Sequence, residues 1–389
     1  MPPSDTGKLW GGRFSGSVDP LMVEYNQSIY YDRIFYKQDI AGSIAWARAN
    51  KNVGILSDDE YKRIVEGLKE VEKEWEDNTF EIKPGIDENA QPVRWSHWLC
   101  SYALAFASDL ERLLEVTKRV NKSPLGCGAL AGNPFGVDRD AIAKELGFEG
   151  LLMNSLGAVA DRKFALETMQ WAAELMTDIS RISEDLILYG SAQYGFVRLA
   201  DAYSTGSSLM PQKANQKNSD SLELLRGKSG RVIGQMVGLN CTIKGLPSTY
   251  NKDLQESVEP LIDCVKTVSD SVRILNGVIS TLDIFPNKML AALEPGMLAT
   301  DLADYLVKKG VPFREAHHVS GQVVSLTESK GIAMDQLSHK DLQGVDRRLG
   351  SDFVFDYESS VEMRTSKGGT SKSSVREQIE LLKTLVSES

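Results

Sequence analysis

The chain has 389 residues, 42 % of them apolar and 25 % charged, with a net charge of −10. That length allows two or three domains and a substantial buried core. The acidic balance excludes nucleic acid as a main partner, because phosphate neutralisation needs a basic surface, while leaving room for a local basic pocket that binds an anionic metabolite.

The four cysteines, Cys100, Cys127, Cys241 and Cys264, are scattered in apolar or small-residue contexts, with no CxxC pair. They predict buried free thiols in a reducing compartment. The first residues, MPPSDTGKLWGGRF, are polar and contain no apolar signal core. No apolar run approaches the roughly 20 residues that span a bilayer. The expectation is a cytoplasmic protein with no membrane partner.

In chain order, residues 1–20 read as irregular, with Pro2, Pro3, Pro20 and four glycines. Helical patterns follow over 31–51 and 57–76. The second opens on Ser57 with Glu60 three residues later, a capping box by type. Pro84, Gly85 and Pro92 break the pattern, and a domain boundary is placed there.

Four long segments then carry apolar residues at steps of three and four. They are Leu99 to Val120, Trp171 to Leu186, Leu222 to Leu239, and Leu261, Val265, Val268, Val272, Leu275, Ile279, Leu282. Such seams predict long helices packed side by side as a bundle, an all-α fold. The first two helices are joined by 121–138 and the last two by 244–260, both turn-rich. Shorter helices follow Pro286, at 297–309 and 312–330, and a Gly/Ser turn leads into a last helix. The domains expected are 1–89, 90–285 and 286–389.

The third connection is the polar loop 204–220, STGSSLMPQKANQKNSD. Its composition suits a plain surface linker. Composition alone favours that linker; the functional reading set against it is that Gly206 permits close backbone approach, and Ser207 could move a proton if nearby positive charge stabilises its alkoxide. Lys213 could supply that charge or pair with a substrate carboxylate. Asp220 to Glu223 predicts a capping box on the next helix, with Asp220 as the cap. Glu223 fits that structural role or the orientation of a catalytic histidine from elsewhere, and the residues alone do not choose. The TYNKDLQE connection (249–256) presents Tyr250, Asn251, Lys252 and Gln255, which suit recognition of a polar small molecule as well as an exposed helix start.

None of His97, His317, His318 and His339 has metal-ligand spacing, so no metal is expected. His97, between two tryptophans, reads as a buried, hydrogen-bonded packing residue. His317 and His318 read as structural or surface residues on a short helix. GxGxxG, GxxxxGK[ST] and GxSxG are all absent, which removes the usual nucleotide-binding and hydrolase readings.

The loop resembles GSSxMPxKxN, the signature of the fumarase/aspartase lyase superfamily. The stretches KLWGGRFSGSVDPLM, AQPVRWSHW, PLGCGALAGNP, DAYSTGSSLMPQK, GLPSTYNKDLQE, MLATDLADYLVKKGVPFREAH and GGTSKSSV resemble the argininosuccinate lyase branch along nearly the whole chain. WGGRF and TYNKDLQE argue against adenylosuccinate lyase and fumarase. The resemblance implies a three-domain, mostly helical subunit, a homotetramer with active sites built from several subunits, and cofactor-free cleavage of argininosuccinate to arginine and fumarate.

It further implies Ser207 as the catalytic serine, Lys213 as its support and Glu223 as the glutamate that steadies the catalytic histidine. Ser28, with Asp32 close by, Ser208, Asn215 or Asn218, Tyr250 and Gln255 correspond to substrate contacts. Three departures accompany it. Family members carry a long segment with HTGRSRND and THLQ between the positions of Glu88 and Ala90; here IDEN runs directly into AQPVRW. With that segment go substrate-gripping Asn, Arg and Ser, the catalytic histidine and one long bundle helix. ANQ (214–216) stands as an insertion before Lys217 and Asn218, and Val258 replaces a substrate-binding lysine. The alternative implied is a catalytically impaired splice form, or a structural, crystallin-like member of the family.

Overall fold

The computed structural model describes residues 20–25, 28–77, 79, 91–206 and 217–388. The first helices are α1 (Pro20–Tyr25), α2 (Ile29–Asp32), α3 (Tyr36–Asn52) and α4 (Asp58–Glu76). Next come α5 (Trp95–Val120), α6 (Arg139–Glu145), α7 (Ser155–Ala160), α8 (Lys163–Gly190), β1 (Val197–Arg198), α9 (Asp220–Ile243), α10 (Val258–Ser280) and β2 (Asp283–Ile284). The chain ends with α11 (Pro286–Ala291), α12 (Ala299–Lys308), α13 (Phe313–Lys330), α14 (His339–Val345), α15 (Tyr357–Glu362) and α16 (Lys372–Glu388). Among the described residues the only sheet is the two-residue antiparallel pair of β1 and β2. The all-α expectation holds.

Two compact units form, one of residues 1–92 with 294–363, the other of 93–293 with 364–389. In the first, α3 and α4 pack as a hairpin. Ser57 and Glu60 make the expected capping box: the Glu60 N–H donates to Ser57 Oγ at 3.2 Å and the Ser57 N–H to Glu60 Oε2 at 2.8 Å. The same unit holds a core of Leu302, Leu306, Val319, Val323, Met334 and Leu349 from α12, α13 and the turns that follow. Gly331 ends α13 with φ +63°, a left-handed position that favours glycine.

On α14, Asp341 accepts from Lys330 Nζ and from Ser338, whose N–H lies at 3.0 Å and whose Oγ lies at 2.6 Å. The lysine bond first, then the Ser338 bonds, hold its carboxyl down to about 2. A carboxyl depressed on folding stabilises above its unfolded pKa of roughly 4, and that contribution is lost as pH falls through the folded value. Asp341→Asn is therefore expected to lower the melting temperature at pH 6. Its deficit against the parent should close between about pH 4 and 2, which melting curves across that range will read.

The second unit is the bundle. α5 and α9 pack on α8, and α10 packs on both α8 and α9. Its core contains Met169, Met176, Ile179, Leu186, Leu222, Val232, Cys264 and Val278. Polar groups on α5 and α8 find specific partners. Trp98 Nε1 and Tyr102 Oη donate to Asp185 at 3.0 and 2.8 Å, and Trp171 Nε1 donates to the Asp109 carbonyl at 2.8 Å.

Four sequence expectations are corrected. The packed face of α10 joins Cys264, Thr267, Ser271 and Val278 to Val268 and Leu275 of the predicted seam, and the seam's Leu261, Ile279 and Leu282 also pack against the core. Val265 and Val272 are 50 % and 43 % exposed, and Leu282 lies beyond the helix. Small side chains at 264, 267 and 271 let α10 approach its neighbours closely, which turns the larger valines outward. The link between α5 and α8 contains α6 and α7, both short and capped by Asp138 and Asn154 side chains. Cys100, Cys127 and Cys264 are buried free thiols, with burial pushing Cys264 up to about 11, whereas Cys241 is exposed. His97 Nδ1 is buried without a hydrogen-bond partner. His317 and His318 lie exposed on the 18-residue α13.

Candidate functional site

Ser207, Ser208, Lys213 and Asn215 lie outside the described residues. What the structure places is the stem that carries them. Thr205 and Asn218 pair across it, with the Thr205 N–H donating to the Asn218 carbonyl at 3.2 Å and the reverse bond at 2.8 Å. Lys217 Nζ donates to the Leu199 carbonyl at 2.8 Å and pairs with Asp201 at 2.7 Å. Its hydrogen bond holds the Asp201 carboxyl below the usual range. Ser204 Oγ donates to the Ala200 carbonyl at 2.9 Å and Ser221 Oγ to the Tyr203 carbonyl at 2.6 Å. Both strands of the stem are thus fastened to the turn at 199–203. The Tyr203 ring in turn lies against Gly277 of α10, where an added Cβ would fall 1.9 Å from its hydroxyl.

Asp220 is not the cap of α9. The cap position is Ser219, without a side-chain bond, and the Asp220 carboxylate accepts from Thr205 Oγ1. The stem has captured the carboxylate that sequence assigned to the helix end. Glu223 stands exposed in the first turn of α9, its N–H bonded to the Ser219 carbonyl. Asn218 owes its place to its backbone pairing.

The second group of expected residues follows the far end of α9. Thr249 has φ +91°, uncommon for a non-glycine residue. Asn251 Nδ2 steadies the turn by donating to the Pro247 and Thr249 carbonyls at 3.0 and 3.1 Å. Tyr250 is exposed, and Gln255 is exposed on the 3₁₀ turn Lys252–Ser257, anchored by buried Leu254. Leu254 lines a cavity of about 350 Å³ with Ile243, Leu246, Asp161 and Lys163. Ser28 and Asp32 belong to the other unit, where Ser28 Oγ donates to the Asp32 carboxylate. Among the described residues no group of three or more His, Cys, Asp or Glu side chains could hold a metal ion, and no helix is long and apolar enough to cross a membrane.

The spacing of these groups is decisive. Glu223 is in the first turn of α9 and the Tyr250 turn follows Ile243, its last residue. At 1.5 Å per residue the 20 residues from Glu223 to Ile243 set these two points of α9 about 30 Å apart. The loop stem and the Tyr250–Gln255 turn therefore belong to opposite ends of α9.

Sequence reading missed Thr205, Lys217 and the Tyr203–Gly277 contact. Lys217 carried a signal, a lysine displaced by the inserted ANQ. The other two have no motif, since a stem pairing and a ring over a helix are tertiary facts. Lys217→Met is expected to loosen the stem, speeding amide exchange at Thr205 and Asn218 about tenfold, or 1.4 kcal/mol of opening energy. Asp201→Asn, which removes only an exposed ion-pair partner, should change it less than about threefold. Residue-resolved hydrogen exchange will measure both.

Comparison with known proteins adds the following. Residues 12–89 and 87–234 match a lyase family model, and 296–362 match the argininosuccinate lyase C-terminal model. The chain is 45 % identical to an argininosuccinate lyase of Schizosaccharomyces pombe over 463 aligned positions, covering 99 % of this chain and 100 % of that protein. It is 45 % identical over 464 positions to an argininosuccinate lyase of Candida albicans, covering 99 % and 98 %. The 463 positions set against 389 residues leave a difference of at least 74 positions of the relative with no counterpart here. Among solved structures, an EDDS lyase variant with bound fumarate superposes with TM-score 0.66 at 26 % identity. That match covers 77 % of this chain and 62 % of the other, under two thirds of its length.

Proposed function

The chain belongs to the argininosuccinate lyase family, and we propose that it takes part in cofactor-free cleavage of argininosuccinate to arginine and fumarate. The reaction removes a weakly acidic proton from the carbon beside a carboxylate. The electron pair left behind spreads onto that carboxylate and then expels the guanidinium nitrogen, which is protonated as it leaves. Ser207 is the base, and Lys213 stabilises its alkoxide or the carboxylate charge. Tyr250 and Gln255 bind the polar substrate, with Ser28, Asp32, Ser208 and the loop asparagines as further contacts. Glu223 stands at the position that steadies the family's catalytic histidine, which belongs to the segment this chain lacks.

The observation that carries this reading is the length of α9. It sets Glu223, beside the loop stem, and Ile243, before the Tyr250–Gln255 turn, about 30 Å apart, so a complete site joins ends of helices from different copies of the chain. The exposed Val258, Ile262, Val265 and Val272 on α10 are the apolar surface such an assembly covers. A homotetramer fits both. The segment that relatives carry and this chain lacks lies, in this reading, between Asn89 and Ala90, where the family match breaks in two. The active histidine is lost with it.

Fumarate absorbance on adding argininosuccinate tests the chemistry, with the relative's segment inserted at that point. Light scattering on the same dilution series tests the assembly. Activity per chain is expected to fall as dilution dissociates the oligomer. A fully active monomer would refute the shared site.

A further inference from the structure

The cavity of about 350 Å³ beside Leu254 has no part in the lyase reading, since neither Tyr250 nor Gln255 lines it. It lies within the bundle unit, between the corner that opens α8 and the turn that follows α9. Its volume is at the small end of ligand sites, which run to about 300–1,000 Å³. The α9 side contributes apolar Ile243, Leu246, Pro247 and Leu254, and the α8 corner contributes Asp161 and Lys163.

The charges there are uncommitted. Asp161 Oδ1 accepts the Lys163 N–H at 2.8 Å, while Oδ2 has no partner among the described residues. Lys163 Nζ forms no ion pair or hydrogen bond with any described residue. Two opposite charges that line one cavity without pairing are left to receive the opposite charges of a ligand.

The turn adds donors. Pro247 has no N–H, and the N–H groups of Ser248 and Thr249 bond to no described residue. Asn251 Nδ2 ties the carbonyls of Pro247 and Thr249 instead, at 3.0 and 3.1 Å, which fixes the backbone and leaves those donors unused. Thr249 is held at φ +91°, a conformation that a β-branched residue rarely adopts. Successive free N–H groups in such a turn suit an anionic oxygen, and strain of this kind concentrates at ligand clamps.

We propose that this cavity is a binding site for a free α-amino acid with an apolar side chain, separate from the substrate contacts. The carboxylate meets Lys163 Nζ and the Ser248 and Thr249 N–H groups, the ammonium meets Asp161 Oδ2, and the side chain lies on Leu246, Pro247 and Leu254. The lining sets this class. A plain carboxylate leaves Asp161 unpaired, an amine leaves Lys163 unpaired, and a polar side chain loses its water against the apolar residues. Binding needs no turnover, so the site stands or falls apart from the lyase reading.

Isothermal titration calorimetry of L-leucine into the full chain is expected to show saturable binding, half-complete below about 1 mM. Isocaproate and isoamylamine, which lack leucine's ammonium and its carboxylate in turn, should each bind at least tenfold more weakly. Lys163→Met and Asp161→Asn should each weaken leucine at least tenfold. Neither should lower the melting temperature by more than about 2 °C, because the Lys163 side chain is exposed and an asparagine oxygen still accepts the Lys163 N–H. Gln255→Leu, outside the cavity but among the substrate contacts, should leave leucine binding within twofold. Absence of saturable leucine binding would overturn the proposal, as would equal binding of either analogue or leucine binding that Lys163→Met leaves unchanged. Weakening by Gln255→Leu as great as that by Lys163→Met would put leucine in the substrate site and refute a separate one.

Discussion

Inserting the relative's unmatched segment between Asn89 and Ala90 is expected to raise turnover of argininosuccinate at least about 10³-fold over the chain as it stands. The magnitude follows from the groups that the segment restores. A positioned acid or base contributes about 10²–10⁴, and each fixed donor on the developing charge about 10²–10³. The serine loop without them keeps only part of the machinery. In the grafted protein, Ser207→Ala is expected to return activity to the ungrafted level, since base and partner act as a unit and their losses do not add. Lys217→Met in the same background should reduce activity less, because Lys217 bonds to the Leu199 carbonyl and Asp201 at the loop's root. Steady-state kinetics by fumarate absorbance will rank the three. An ungrafted chain that matches the grafted one would show that the segment supplies nothing to the reaction.

Much of the fold was legible because its signals are local. The Ser57–Glu60 capping box is a property of four consecutive residues, and it forms as read. The long apolar periods locate α5, α8, α9 and α10. Periodicity turned Leu261, Val268, Leu275, Ile279 and Leu282 inward correctly but could not show that Cys264, Thr267 and Ser271 join them while Val265 and Val272 face out. That choice is made by the neighbours' shapes. The site was legible as a set of residue types and not as a place. Asp220 reads as a cap from its neighbours, yet Thr205, fifteen residues earlier, has taken its carboxylate. The distance between Glu223 and Ile243 follows from the helix between them, once that helix is known to be unbroken.

The C-terminal GGTSKSSV stretch supports the sharpest contrast between two adjacent residues. Gly368 has φ +80° but open space where a Cβ would go. Gly368→Ala should therefore cost only the left-handed backbone penalty, about 1 kcal/mol. At Gly369 an added Cβ would lie 2.3 Å from the Arg364 carbonyl oxygen and 2.8 Å from that of Ser366. Both obstacles are backbone, so no rotamer change relieves them. The stretch is also tied inward. Gln378 Nε2 donates to the Gly369 carbonyl at 3.1 Å, and Ser374 Oγ reaches the Thr365 and Ser366 carbonyls at 3.1 and 3.0 Å. Thr370 Oγ1 accepts the N–H of Arg94, the cap residue of α5, at 2.8 Å. Displacing Gly369 strains several of these buried bonds together. At about 1–3 kcal/mol for each buried group left unsatisfied, Gly369→Ala is expected to cost at least about 3 kcal/mol. Because α16 packs on α5, the loss should be visible as faster hydrogen exchange along Lys372–Glu388. Urea unfolding of the two variants side by side will separate them. Equal midpoints would mean that the turn can shift its backbone freely, and that these hydrogen bonds do not hold α16 in place.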